Sequence, residues 1–274
     1  MSDKYNNQNT FADLKINLIF GTHHKTGTIW MRSIAMAVAD RCGFHFLRYP
    51  RSLKDPVKVL NQATQKNSSL LRIDEKSHIR SSDRDDATVV HLIRDPRDVL
   101  VSATFYHQKS TENFLLRPWR RATGTTTYQD HIKSFESFEA QATFEMSAYS
   151  AKVFADMNAW DYDKPNCIEL KYEDLIVDRD MVLFRRVFEA AGLDASQTVE
   201  ALEEVWNNSL FGALAEVKLQ KAVVEEGTHH IRSGKTSQWR KHFTPELAAA
   251  FHSKYQPLLE RLGYETDGSW VDSV

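Results

Sequence analysis

The stretch LIFGTHHKTGTIWMRSIAMAVA, from Leu18 to Ala39, limits the possible folds more than any other part of the chain. A strand-length apolar run leads into a tight turn holding Lys25 and Gly27. A helical pattern follows, with Met31, Ile34, Ala35 and Val38 at i, i+3, i+4 and i+7. A buried strand that ends in a turn opening a helix aims backbone N–H groups outward, with the positive end of the helix dipole behind them. Such a turn cradles phosphate. Thr26, Gly27 and Thr28 would supply the N–H groups, Gly27 would permit close backbone approach, and the two hydroxyls could add bonds. A generic strand-turn-helix junction with a surface lysine fits the same residues. The pattern G-x-x-x-x-G-K-[ST] of nucleoside-triphosphate enzymes fails here, because Thr28 follows Gly27 and the lysine precedes it.

Other strand-length runs lie at Ile16 to Phe20, Phe44 to Leu47, Thr88 to Ile93 and Cys167 to Tyr172, separated by stretches of helical periodicity. That alternation predicts an α/β fold of three layers, with a mainly parallel central sheet flanked by helices. Asp95 caps and Pro96 opens one predicted helix. Met181, Phe184, Phe188 and Ala191 form a stripe that stops at Gly192. The last helix has Thr244 as cap, Pro245 first, Leu247, Phe251, Tyr255, Leu258 and Leu262 on its apolar face, and Gly263 as its end. Between about 108 and 161 the pattern is irregular, RPWRRATGTTTYQDH reading as loop and FESFEAQATFEMSAYSAKVFADM as helical. No composition shift marks a linker. The expected organisation is one domain over 1–274, with a flexible lead-in of residues 1–14 and an insertion at 108–161 for an acceptor.

Composition excludes some functions. With 35 basic and 37 acidic residues the net charge is −2, so no overall field favours nucleic acid or an anionic membrane, and an anion site must be local. The N-terminus has no apolar signal region, and no stretch reaches the roughly 18 apolar residues of a membrane span. A cytoplasmic protein is expected. Cys42 and Cys167 read as reduced thiols, and the eleven histidines show no metal-ligand spacing, so no metal is expected.

Two further stretches bear on phosphate. In VVHLIRDPRDVLVSATFYH, Arg94 ends a predicted strand, where open α/β sheets bind ligands, and Ser102 follows eight residues later. A guanidinium and a hydroxyl suit a second phosphate. The alternative is a structural ion pair of Arg94 with Asp95 or Asp98. In IRSGKTSQWRKHFTPEL, Arg232, Ser233 and Gly234 form a basic turn able to close over an anion, with Trp239 and Phe243 as anchors. Alone it reads as a loop.

Together the three stretches resemble the cytosolic-type sulfotransferase family, which uses 3′-phosphoadenosine 5′-phosphosulfate (PAPS). The family's T-Y-P-K-S-G-T-T-W is matched by THHKTGTIW at Thr22, Lys25, Gly27, Thr28 and Trp30. Its R-x-x-[KR]-D-x-x-V-S is matched by Arg94, Arg97, Asp98, Val101 and Ser102, and its R-K-G-x-x-G-D-W-K by Arg232, Gly234 and Trp239, with Arg240 replacing lysine. The resemblance runs in order from about Ile16 to Phe243.

It implies a P-loop-like fold and sulfuryl transfer from PAPS to a hydroxyl acceptor, without metal. Lys25 would meet the oxygen bridging sulfur and the 5′-phosphate, and the backbone of Thr26, Gly27 and Thr28 would hold that phosphate. Arg94, Ser102, Arg232, Ser233 and Gly234 would surround the 3′-phosphate. Trp30 would stack on adenine, near Tyr172 of LKYEDL, while Ser209 and Phe211 match a family Thr-x-Phe more loosely and equally fit helix-end packing. The family's catalytic histidine lies in K-[ST]-H, here Lys76, Ser77 and His78, sixteen residues before Arg94. An imidazole suits removal of a hydroxyl proton at neutral pH. Glu75 is a reserve base.

Departures are His23 and His24 in place of Tyr-Pro, Ser233 in place of lysine and Gln238 in place of aspartate. Either histidine could face the acceptor. The rival readings are a P-loop nucleotide kinase, which would need the later lysine and a magnesium carboxylate, and a non-catalytic nucleotide-binding protein. Phe105, Tyr106, Phe114, Trp119, Tyr128, Phe135 and Phe144 could line an acceptor pocket or form core. Arg117, Arg120 and Arg121 could equally welcome an anionic or sugar acceptor. The acceptor and the oligomeric state are not readable from the sequence.

Overall fold

The computed structural model describes residues 16–49, 70–75, 77, 87–119, 125–161, 166–209, 211–213 and 234–274. The lead-in 1–14 and Lys76, His78, Arg120, Arg121, Arg232 and Ser233 lie outside the described residues. Two compact units are formed: Met1–His23, Gly27–Leu92 and Asp161–Val223 make the first, His24–Thr26, Ile93–Trp160 and Val224–Val274 the second.

The first unit is built on a five-stranded sheet. Its strands are β1 (Ile16–Thr22), β2 (His45–Tyr49), β3 (Leu70–Asp74), β4 (Thr88–Ile93) and β5 (Cys167–Lys171), in the order β2-β3-β1-β4-β5. The pairs β2-β3, β1-β3 and β1-β4 are parallel. From Leu18 to Thr22, β1 is buried, as a strand with neighbours on both sides must be, so it reads as a continuous apolar run. In register, Gly21 faces Asp74 and Thr22 faces Leu92.

Strand β3 escaped the sequence reading. Arg72 interrupts its apolar run, and the structure shows why a charge is tolerated there: Arg72 is buried and its Nη2 lies 3.0 Å from Asp74 Oδ2 on the same strand. A buried charge survives when it is paired and hydrogen-bonded.

Helix α1 (Thr28–Cys42) buries the predicted stripe of Met31, Ile34, Ala35 and Val38, and Trp30 besides, and ends at Gly43, whose φ of 76° suits glycine. It shares one core with Phe20, Ile73, Leu92, Leu170, Phe184, Phe188 and Val205. Beyond the second unit's insertion, in chain order, come α6 (Tyr172–Leu175), α7 (Val182–Ala190) and α8 (Ala195–Asn208). Helix α8 opens with a capping box of Asp194 and Gln197.

In the second unit α2 (Pro96–Lys109) begins as expected: the Asp95 carboxylate accepts from the Arg97 N–H at 2.9 Å and Pro96 is first. The stretch expected to be one helical run divides into α4 (Phe138–Ser147) and α5 (Tyr149–Asn158), broken at Ala148, with the short α3 (Tyr128–Lys133) before them. Then follow α9 (Trp239–His242) and α10 (Pro245–Arg261), capped by the Thr244 hydroxyl as predicted. Ile93, Leu100, Phe154, Trp239, Phe251, Leu259 and Trp270 belong to its core.

Neither Cys42 nor Cys167 forms a disulfide, and burial and then the Glu200 charge push the Cys42 thiol up to about 11. No described helix is long and apolar enough to cross a membrane, and no group of three or more potential ligands gathers for a metal among the described residues.

Candidate active site

The turn after β1 runs through His23 to Gly27. Gly27 has φ 106°, a conformation that favours glycine, and an ideal Cβ there would stand 3.1 Å from Tyr172 Cδ2 and crowd that ring. The Thr28 hydroxyl donates back to the His23 carbonyl at 2.9 Å and lies 3.0 Å from the Thr22 hydroxyl, which closes the turn. The start of α1 has no side-chain cap, whereas Asp95, Thr127, Ser137, Asp194 and Thr244 cap theirs. An uncapped helix start directs N–H groups and partial positive charge toward an anion.

Behind the turn, in the first unit, Trp30 is buried and meets Tyr172 edge-on, ring centroids 5.8 Å apart, and Phe211 at 6.3 Å. The structure thus gathers three of the residues assigned to the adenine into one aromatic cluster. Ser209, buried at the end of α8, has a hydroxyl without a hydrogen-bond partner among the described residues.

Ser77, with φ 48°, donates its hydroxyl to the Thr22 carbonyl at 3.0 Å, which ties Ser77 to the end of β1, while its neighbours Lys76 and His78 lie outside the described residues. Glu75 beside it accepts from Arg32 at 2.8 Å and from Arg48 at 2.6 and 2.9 Å. Burial raises its pKa, but those guanidinium bonds outweigh burial and hold the carboxyl below its ordinary value. A carboxylate held so is a poor proton acceptor, which argues against Glu75 as reserve base.

The second unit holds Lys25 and Arg94. Lys25 adopts φ 67° and its Nζ lies 3.8 Å from the centre of the Tyr106 ring. Arg94, buried, donates from Nη1 to the Lys25 carbonyl at 3.2 Å and from Nη2 to the Lys235 carbonyl at 3.0 Å. One guanidinium thereby joins the first and third motif stretches to the second. Its ion pair with Asp98, weighed as an alternative, is also formed, at 3.6 Å, while Asp95 is held by Arg97 at 2.8 Å. Ser102 is half-buried on α2, and Gly234 has φ 63°. The Trp239 N–H donates to Asp98 Oδ1 at 3.0 Å, and the Arg97 guanidinium stacks 3.9 Å above the Trp239 ring, which makes the anchor expected of this tryptophan.

The two histidines before Lys25 diverge. His23 Nε2 lies 2.8 Å from His91 Nε2, whose ring continues to Glu169 at 3.3 Å in the first unit. His24 Nε2 lies 3.1 Å from His107 Nε2, whose Nδ1 reaches Glu145 at 2.8 Å in the second. Sequence reasoning singled out His23 and His24 but missed His91, His107 and Glu145, since separations of 68 and 83 residues leave no local signal.

A parallel α/β sheet with an uncapped phosphate turn after its central strand, and an arginine after the neighbouring strand, defines a P-loop-like fold of nucleotide-using transferases. The sulfotransferase domain model matches residues 16–263, and the chain belongs to that family. Sulfotransferase 2A6 of Rattus norvegicus is 23% identical over 262 residues, covering 90% of this chain and 86% of its own length. Sulfotransferase 2A2 of the same species is 27% identical over 176 residues, 62% of this chain and only 55% of its own length, so that match spans about half of the relative. Cytosolic sulfotransferase 17 of Arabidopsis thaliana is 21% identical over 273 residues, with 89% and 74% covered. Among solved structures, mouse sulfotransferase SULT7A1 complexed with PAP superimposes with a TM-score of 0.58 at 14% identity, covering 94% of this chain and 87% of that one. Retinol dehydratase in a complex with retinol and PAP gives 0.50 at 18% identity, with 92% and 84% covered. These structural likenesses support the fold.

Proposed function

We propose that this chain transfers the sulfuryl group of PAPS to a hydroxyl of a small-molecule or carbohydrate acceptor, without metal, as one sulfotransferase domain. The observation that carries this reading is Arg94, whose guanidinium binds the carbonyls of Lys25 and Lys235 and so unites all three motif stretches. PAPS fits the residues present: the uncapped start of α1 offers N–H groups to the 5′-phosphate, and Arg94 with Ser102 offers a cation and a hydroxyl to the 3′-phosphate.

The backbone of Thr26, Gly27 and Thr28 holds the 5′-phosphate, and Trp30, Tyr172, Ser209 and Phe211 serve the adenine side. Arg94, Ser102, Arg232, Ser233 and Gly234 hold the 3′-phosphate. Lys25 leaves the Tyr106 face to stabilise negative charge where it grows, on the oxygen that bridged sulfur and phosphorus. His78, one residue beyond the anchored Ser77, removes the proton of the attacking hydroxyl, which approaches sulfur in line with the departing 3′,5′-diphosphoadenosine (PAP). Two cysteines outside any disulfide suit a reducing, cytoplasmic setting.

The test is a panel of phenols, alcohols and sugars incubated with PAPS in chelator and read by mass spectrometry, alongside calorimetric binding of PAP and of ATP with magnesium. Tight PAP binding and an 80-dalton-heavier acceptor, roughly the mass of one sulfuryl group, are expected. Magnesium-dependent ATP binding with no sulfated product would instead establish the kinase reading.

A further inference from the structure

Arg97 is only 2% exposed, and a buried guanidinium persists only where carboxylates and ring faces compensate its charge. Its Nε donates to Asp95 Oδ1 at 3.0 Å and its Nη2 to Asp95 Oδ2 at 2.8 Å, while Nη1 pairs with Glu265 Oε1. The guanidinium stands 3.9 Å from the centre of the Trp239 ring and 4.7 Å from that of Trp270, and the two indoles meet edge-on with centroids 5.4 Å apart. Burial works against the charge, but the Asp95 and Glu265 carboxylates outweigh it and hold the pKa above the ordinary arginine value. Glu265 and Trp270 lie beyond the family match, which ends at residue 263.

Trp239 carries this constraint to Arg94. Its N–H donates to Asp98 Oδ1 at 3.0 Å, and Asp98 Oδ2 lies 3.6 Å from Arg94 Nη2, the nitrogen that also binds the Lys235 carbonyl. A shift of Trp239 therefore moves the carboxylate against which the Arg94 fork is set. Trp270 is itself fixed, since its Nε1–H donates to Gln256 Oε1 at 2.8 Å and the Gln256 amide donates to the Asp267 carbonyl at 2.7 Å. Arg240 adds a second cation 4.4 Å from the centre of the Trp239 ring, and its Nη1 donates to the Ser273 hydroxyl at 3.2 Å. All of these residues belong to the second unit.

We infer that Glu265 and Trp270 are positioning residues for the 3′-phosphate: by holding Arg97 against Trp239 they aim the Arg94 fork, and so set how strongly the protein prefers a 3′,5′-diphosphate nucleotide to a 5′-monophosphate. The inference rests on the assignment of Arg94 under the proposed function. PAP and adenosine 5′-monophosphate (AMP) share adenine, ribose and the 5′-phosphate, and differ only in the group assigned to Arg94. A purely structural role for the segment would therefore change both affinities alike. The ring face of Trp270 is the specific requirement, because a guanidinium is held over an indole by the ring's charge distribution, which an aliphatic side chain of similar bulk lacks.

Calorimetry with PAP and with AMP on the full chain, below the denaturation temperature of each variant, tests this. The wild type should bind PAP at least about tenfold more tightly than AMP, the value of a charge-assisted contact. Trp270→Leu should weaken PAP by about fivefold or more with AMP affinity within about twofold, and Trp270→Phe, which restores a ring face, should recover most of the difference. Glu265→Gln should act in the same direction by about threefold, and it carries the test where Trp270→Leu does not fold. With PAPS as co-substrate the loss should appear in KM for PAPS, with kcat within about twofold. In the ligand-free protein, exchange of the Trp239 amide proton should quicken more in Trp270→Leu than in Trp270→Phe. Equal losses of PAP and AMP affinity, or unchanged PAP affinity in the variants, refute the inference and leave the sulfuryl-transfer reading standing. A wild type that binds PAP no better than AMP ends the assignment of Arg94 to the 3′-phosphate, and the inference with it.

Discussion

Gly27 and Tyr172 touch where a side chain would otherwise stand: a Cβ on Gly27 would lie 3.1 Å from Tyr172 Cδ2 and 3.6 Å from Leu92 Cδ2. The phosphate turn is therefore packed directly on the aromatic residue assigned to the adenine. Gly27→Ala must shift that ring and adopt φ 106°, a cost of about 1–3 kcal/mol. Urea denaturation should show that loss, and calorimetry should show PAP binding weakened by about tenfold or more. A variant that binds PAP normally would remove the turn from the phosphate site.

On the proposed function, Lys25 and His78 act only as charge and proton move. Lys25→Ala and His78→Ala should each lower kcat by about a hundredfold or more while PAP affinity stays within about threefold. Near-normal sulfation by His78→Ala would refute its assignment as base.

Arg94 works through a planar fork, with Nη1 on the Lys25 carbonyl and Nη2 on the Lys235 carbonyl. A lysine cannot span both. Arg94→Lys should weaken PAP binding by about tenfold or more despite keeping the charge, and should flatten the salt dependence of binding less than Arg94→Ala does. Equal affinities of Arg94→Lys and the wild type would mean that only charge matters there.

Glu75 supplies the pH dependence. Its folded pKa is lowered from 4.5, so the unfolded chain binds its proton first on acidification. Its contribution is complete above about pH 4.5 and is lost as pH falls through the lower folded value. Glu75→Gln should reduce stability at neutral pH, since Arg32 and Arg48 lose their counter-charge, and should show a shallower acid limb in denaturation midpoints than the wild type. Matching acid limbs would show that the pair contributes nothing measurable.

How much the sequence disclosed varied with the range of the interaction. The caps at Asp95 and Thr244 were legible because cap and recipient N–H are two or three residues apart. The apolar stripe of α1 was legible because one buried face repeats with the helical period. Strand β3 was hidden, because a strand of five residues carrying Arg72 looks polar until Asp74 is seen to pair with it. The break at Ala148 was hidden too, because the apolar pattern runs on across it while the backbone does not.

At the candidate site the sequence determined which residue types are proposed for phosphate binding, since the turn chemistry of Lys25 to Thr28 and the Arg94 to Ser102 spacing are local. Only the tertiary structure decided what His23 and His24 do. Their partners, His91 and His107, stand in a neighbouring strand and in the helix after it, and a histidine's tautomer is set by whatever its other nitrogen meets. The same holds for Glu75: two arginines from α1 and β2 turn a possible base into a counter-ion, and such long-range pairing leaves no periodic trace in the sequence.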